Sequence, residues 1–283
     1  MQITSVKNKS ILTRTTGYLK NVSSHSLNPY SGCGFGNSSC GQGCYVRFNA
    51  WINQGREWGS FVDVKTNAAE LYCKTVAREK NWACNQSKPF SIFMSSSTDP
   101  WQPAETKYRI TRKLLLAMKI TPPDELILQT HSSAILEDID LIHELSLNCK
   151  LRVHISIEGD RDRLPGLPPP PSSVEDRIRA LKEFSSRGIF SVCCLSPLYP
   201  LTDPEAFFNK LKSTGVAAVI IDHFILGDGT PDGSRTQKTS LPSVMKNVKP
   251  ESIHLPYRDK VIEIARKYLP VGVSATGFAG NYS

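Results

Sequence analysis

The stretch LILQTHSSAILEDIDLIHELSLNCKLRVHISI, residues 126–157, reads as strand, helix, strand. Leu126–Thr130 and Leu151–Ile157 are short, apolar and rich in β-formers, and residues 136–147 between them carry a helical pattern. A chain that leaves a strand, crosses through a helix and returns makes a parallel pair with a right-handed crossover. The alternation continues both ways. Upstream, Phe90–Ser95 reads as a buried strand between helical patterns over 66–80 and 106–119. Downstream, Ile189–Leu195 and Ala217–Asp222 read as strands beside helices over 174–187 and 203–213. Ser173 with Asp176, and Asp203 before Pro204, are helix-start signals; Gly188 and Gly215 are helix-end signals. A first strand is expected near Leu27–Tyr30 and a last one at Val271–Ser274. The result is an α/β chain with a parallel barrel or an open sheet. In either, chemistry gathers at the C-terminal ends of the strands.

The chain has 283 residues, enough for one domain that buries roughly 75% of its unfolded surface. Disulfides or a structural metal are not needed for folding alone. Residues 227–257, rich in Gly, Pro, Ser and Thr, read as a long loop, and Pro168–Pro171 as a stiff surface loop. The formal net charge is +8. Its basic residues are scattered; Lys107, Arg109, Arg112 and Lys113 form the densest group. That suits a solvated basic surface, and it keeps nucleic acid open as a partner. No run of 18 apolar residues exists and Met1–Leu12 lacks a signal peptide's apolar core, so no membrane partner and a cytoplasmic location are expected. There, eight cysteines point to metal binding or chemistry more than to cross-links.

Three of those cysteines fall within twelve residues, in NPYSGCGFGNSSCGQGCYVR from Asn28 to Arg47. Six residues separate Cys33 from Cys40 and three separate Cys40 from Cys44. Five glycines from Gly32 to Gly43 let the backbone wrap a compact object and aim amides at it. Structural zinc and inert [4Fe–4S] centres usually take four protein ligands. A cluster held by three thiolates leaves one iron for an exogenous ligand. Cys73, Cys84, Cys149, Cys193 and Cys194 read as small buried hydrophobes.

The segment N-P-Y-S-G-C…C…C-Y-V-R resembles the cluster loop of radical S-adenosylmethionine (SAM) proteins, in particular the spore photoproduct lyase-like branch. The resemblance extends to Thr98-Asp99-Pro100-Trp101-Gln102-Pro103-Ala104-Glu105, to Glu137-Asp138-Ile139-Asp140-Leu141 and to Ser196-Pro197-Leu198-Tyr199-Pro200. It spans roughly residues 25–225. Its cysteine spacing departs from the family's three and then two intervening residues. The resemblance implies a partial (β/α)6 TIM-type barrel forming one domain over 1–283, with a core at about 22–225 and 226–283 as a C-terminal loop and helix extension. It implies a [4Fe–4S] cluster on Cys33, Cys40 and Cys44. SAM would be chelated at the open iron and reductively cleaved to methionine and a 5′-deoxyadenosyl radical that attacks a substrate. A reductant protein such as flavodoxin or ferredoxin is implied as partner.

For SAM itself, the resemblance points to Tyr45, Ser96, Thr98, Asp99, Ser156, Glu158, Arg177 and Ser196. Tyr45 and Leu195–Pro197 would flank the adenine through backbone. Ser96, Thr98 and Asp99 would meet the amino group or ribose, Ser156 and Glu158 the ribose, and Arg177 the carboxylate. Against each serine stands an ordinary role as cap or turn residue. His131 suits a polar or a structural role at a strand end. Asp222 with His223 is a candidate substrate-orienting pair, while His154 reads as structural and Gly227–Gly233 as a plain turn. Three functions compete: a radical SAM enzyme of unassigned substrate, a DNA photoproduct lyase, and a non-catalytic zinc-binding protein. Ser95, Ser96 and Ser97 stand where lyases of this branch carry a hydrogen-donating Cys, which ranks strict lyase activity low.

Overall fold

A computed structural model describes all 283 residues. In chain order its strands are β1 (Gln2–Val6), β2 (Leu12–Arg14), β3 (His25–Leu27), β4 (Tyr30–Gly32), β5 (Phe61–Lys65), β6 (Ser91–Met94), β7 (Glu125–Thr130), β8 (Lys150–Ser156), β9 (Phe190–Leu195), β10 (Ala218–Ile221) and β11 (Val271–Val273). The eight-stranded sheet runs β11-β10-β9-β8-β7-β6-β3-β2. From β3 to β11 every neighbour is parallel; β2 alone is antiparallel, on the edge. The deciding stretch pairs as expected, with Leu126 opposite Leu151 and Thr130 opposite Ile155. The fold is a mixed α/β partial TIM-type barrel.

Alternation along each strand sorts side chains to two faces. On β8, Val153 and Ile155 join the main core between sheet and helices. Arg152, His154 and Ser156 therefore point into the barrel. The interior is filled by a smaller apolar group of Val22, Phe93, Ile127, Val192, Cys194, Ala218, Ile220 and Phe278. β11 and β2 are the two ends of the sheet and do not pair. The short turn Gly17–Asn21 and the helix Ser274–Phe278 stand there, with Tyr18 and Phe278 edge to face at 6.3 Å.

Several expectations need correction. The helix over 106–119 is two helices, Pro103–Tyr108 and Ile110–Ile120, broken where Arg109 takes a left-handed conformation (φ 52°). The expected loop 227–257 contains a helix, Leu241–Val248, with Pro242 in its first turn and Leu241 and Met245 buried one turn apart. A three-stranded sheet, β1-β5-β4, was not foreseen in the first 65 residues. The last strand expected at Val271–Ser274 is present as β11, Val271–Val273, and it joins the main sheet beside β10. Cys73 and Cys84 are exposed rather than buried, on the outer side of the helix Ala68–Asn85; Cys193 and Cys194 are buried as expected. No helix is long and apolar enough to cross a membrane.

Candidate active site

The cysteine segment leaves β4 and crosses the C-terminal end of the main sheet. Its glycines answer to contact. A Cβ on Gly41 would lie 2.3 Å from the Phe35 carbonyl, and one on Gly36 would lie 2.3 Å from Gly59 Cα. The turn after β6 clamps this loop. Thr98 Oγ1 donates to the Gly32 carbonyl (2.6 Å) and accepts from Gln102 Nε2 (2.9 Å), while Gln102 Oε1 accepts from the Gly34 amide (2.7 Å). Asn28 braces the same turn: it donates to Ser96 Oγ (2.8 Å) and accepts from the Ser97 amide (2.9 Å). Tyr45, about two-fifths exposed, donates its hydroxyl to the Ser96 carbonyl. Tyr30 donates to Glu105, which also accepts from the Thr111 and Arg112 amides. The motif residues are bonded chiefly to one another.

Burial raises the pKa of Cys33 to about 12 and of Cys44 to about 11, and lifts Cys40 well above its ordinary value. Like-charge coupling adds to the rise at Cys40, which feels both other thiols, and Cys33 also feels Cys44. The backbone of Asp99 and Phe35 eases the rise at Cys33, and that of Val46 and Arg47 eases it at Cys44. Ser38 Oγ stands 3.2 Å from Cys40 Sγ. No three His, Cys, Asp or Glu side chains converge as ligands of a single ion would. The donor set fits a multinuclear iron–sulfur group, whose thiolates each bind a different iron and receive amide hydrogen bonds.

Beside the loop a row of charges crosses the ends of β6, β7 and β8. Asp99, buried, accepts from Thr130 Oγ1 (2.7 Å) and from the Trp101 (2.9 Å) and His131 (2.7 Å) amides. His131 Nδ1 lies 3.7 Å from Asp99 Oδ2, and its Nε2 lies 3.1 Å from Glu158 Oε1. The second contact is an ion pair whose alignment falls short of a hydrogen bond, so Glu158 Oε1 is met by charge rather than by an aligned donor. Arg177, 1% exposed, donates from Nη1 to Glu158 Oε2 (2.9 Å) and to the Ser156 carbonyl (2.6 Å). Burial opposes charge on His131, but Asp99 and Glu158 outweigh it and hold its pKa at about 9. Burial likewise opposes the Glu158 carboxylate; Arg177 and then His131 overcome it, leaving the group ionised far into acid. Ser156 Oγ accepts from Gln129 Nε2 at 3.3 Å.

Across the mouth, at the ends of β9, β10 and β11, stand Ser196, Asp222 and Ser274, with Tyr18 from the turn Gly17–Asn21. Asp222 and His223 do not act as a pair of side chains. Asp222 faces the mouth, whereas His223 Nε2 lies 3.0 Å from the Ser252 carbonyl and its Nδ1 accepts from the Ile225 amide. Gly227–Gly233 is a turn closed on itself: Asp228 accepts from the Thr230 and Thr236 amides. Sequence reasoning missed Gln129, Tyr18 and Ser274; no local signal marks them, because long-range topology brings them to the mouth.

No protein-family model matches the chain. The uncharacterized protein MJ0683 of Methanocaldococcus jannaschii is 32% identical over 189 residues, 66% of this chain and 65% of that protein. The chain therefore matches a little under two thirds of that relative's length. Among solved structures, a spore photoproduct lyase mutant with bound AdoMet and dinucleoside spore photoproduct aligns over 96% of this chain and 80% of its own, with TM-score 0.66 and 12% identity. A second mutant of that lyase gives TM-score 0.62 at 14% identity over 96% of this chain and 81% of its own. Streptococcus suis SuiB bound to precursor peptide SuiA gives 0.51 at 10% identity, over 88% of this chain and 47% of its own. These likenesses establish the fold.

Proposed function

We propose that this chain is a radical SAM enzyme, with a [4Fe–4S] cluster on Cys33, Cys40 and Cys44 and SAM bound between that loop and the row from Asp99 to Arg177. One observation carries the reading: Cys33, Cys40 and Cys44 sit on a single glycine-rich loop that Thr98 and Gln102 clamp at the Gly32 carbonyl and the Gly34 amide, and Asp99, the residue after Thr98, opens the buried charged row that runs to Arg177. The fold shared with a lyase that binds AdoMet supports it. When bound, such a cluster supplies the electron that cleaves SAM to methionine and a 5′-deoxyadenosyl radical. Flavodoxin or ferredoxin is the proposed source of that electron.

The chain's residues bind, orient and exclude water. Glu158 Oε1, ion-paired with His131 Nε2 at 3.1 Å, would keep a lone pair for a ribose hydroxyl or the SAM amino group. Arg177 is too buried and too committed to meet a carboxylate, so in this reading it holds Glu158. Thr98 and Gln102 fix the loop that carries Cys33. Ser95 spends its hydroxyl on the Thr98 carbonyl (2.5 Å), and an O–H is a poor hydrogen-atom donor, so strict photoproduct lyase chemistry is not favoured.

The test is anaerobic reconstitution. About four iron and four sulfide per chain are expected, with 5′-deoxyadenosine formed slowly from SAM and dithionite. Cys40→Ala should abolish the cluster absorbance and Cys193→Ser should not. Stoichiometric zinc in place of iron would overturn the reading, as would full iron content in Cys40→Ala.

A further inference from the structure

At the ends of β9, β10 and β11 the mouth is organised around one carboxylate. Asp222 is 1% exposed, and its charge is met by hydroxyls and one amide rather than by a cation. Oδ1 accepts from Ser274 Oγ (2.5 Å) and the His223 amide (2.9 Å); Oδ2 accepts from Tyr18 Oη (3.1 Å) and more weakly from Ser196 Oγ (3.5 Å). Arg258, the basic side chain in its field, is spent on Asp259 (2.7 Å). Gly227 leaves room for the carboxylate, since a Cβ there would lie 2.5 Å from Oδ2. Ser274 is held at φ +47°, a left-handed conformation that costs a serine energy and persists only where its surroundings impose it.

A hydroxyl has one proton and two lone pairs. Tyr18, Ser274 and Ser196 each turn that proton toward Asp222, and all three are partly exposed at the mouth. What they present outward is therefore acceptor lone pairs, backed by an unpaired negative charge. We infer that this rim is the substrate-orienting site of the enzyme and that it selects a substrate bearing an N–H donor, an amine or ammonium group above all, while rejecting carboxylates and phosphates. The inference rests on the radical SAM reading for the word substrate; the rim's preference for donors does not.

The test uses cluster-loaded protein and two matched probes, benzylammonium and benzoate, followed by saturation-transfer NMR. Benzylammonium is expected to bind and benzoate not. Tyr18→Phe, which keeps the ring against Phe278, and Ser274→Ala should each weaken benzylammonium about tenfold. Asp222→Asn, whose amide N–H donates to a hydroxyl and releases that proton outward, should lower benzylammonium affinity and admit benzoate. Benzoate binding as well as benzylammonium to the unaltered chain would overturn the inference. So would no benzylammonium binding, or an affinity unmoved by Tyr18→Phe in protein whose circular dichroism is unchanged. Iron content of the same samples reports separately on the cofactor reading, because no rim residue is a proposed ligand.

Discussion

Arg177 and Glu158 bring opposite charges into a place water scarcely reaches, with side chains 1% and 5% exposed. Such a pair gains little over an apolar one, yet removing one partner strands the other. Arg177→Met should therefore cost about 3–5 kcal/mol in urea unfolding. His154 is a different case. It is fully buried on β8 and neither ring nitrogen has a partner. Burial, helped by Arg152, pushes its pKa well below 6.5, so the folded chain keeps it neutral while the unfolded chain protonates it. The unfolded state then binds more protons below about pH 6.5, and this residue's contribution to stability falls as pH drops. His25 and His223 shift the same way. His154→Leu should flatten the fall between about pH 6.5 and 5 by up to about 1.4 kcal/mol per pH unit, read by chemical denaturation at each pH.

Between elements, the contacts that matter join the turn after β6 to the loop after β4. Gln102 uses both ends of its amide there, on the Gly34 N–H and on Thr98. Gln102→Leu keeps the bulk and leaves both unanswered. It should cost about 1–3 kcal/mol and speed iron release from reconstituted protein, followed with a chelator. At this scale the sequence was most readable. The helices and strands from 90 to 222 follow their apolar periods because each buries one face against a neighbour. The motifs Asn28–Cys33 and Thr98–Glu105 could be matched as text, but not the fact that they bond to each other. The helix Leu241–Val248 was obscured by Gly, Pro, Ser and Thr around it, although Pro242 and the Leu241/Met245 spacing were there to be read. The sheet of β1, β5 and β4 was hidden more deeply. Its strands are three to five residues long, and their pairing joins residues 59 apart between β1 and β5 and 30 to 34 apart between β4 and β5, which no local pattern links.

For the molecule as a whole, the open seam between β11 and β2 is the decisive feature. An unclosed parallel barrel would leave its interior facing solvent there, but the helix Ser274–Phe278 sends Phe278 inward against Tyr18, Phe93 and His154. The ring is 5% exposed and completes the interior apolar group. Its removal should cost about 3–5 kcal/mol, as for other buried Phe→Ala changes. Cavity formation alone predicts that the loss is confined to stability. The architecture predicts more, because the same short helix begins at Ser274 and the same ring supports Tyr18. Phe278→Ala should therefore weaken benzylammonium at the rim as well as lower the unfolding midpoint, whereas Phe184→Ala, in the main core and fully buried, should lower the midpoint only. Equal binding by the two variants would mean that closing the seam and shaping the mouth are separate tasks.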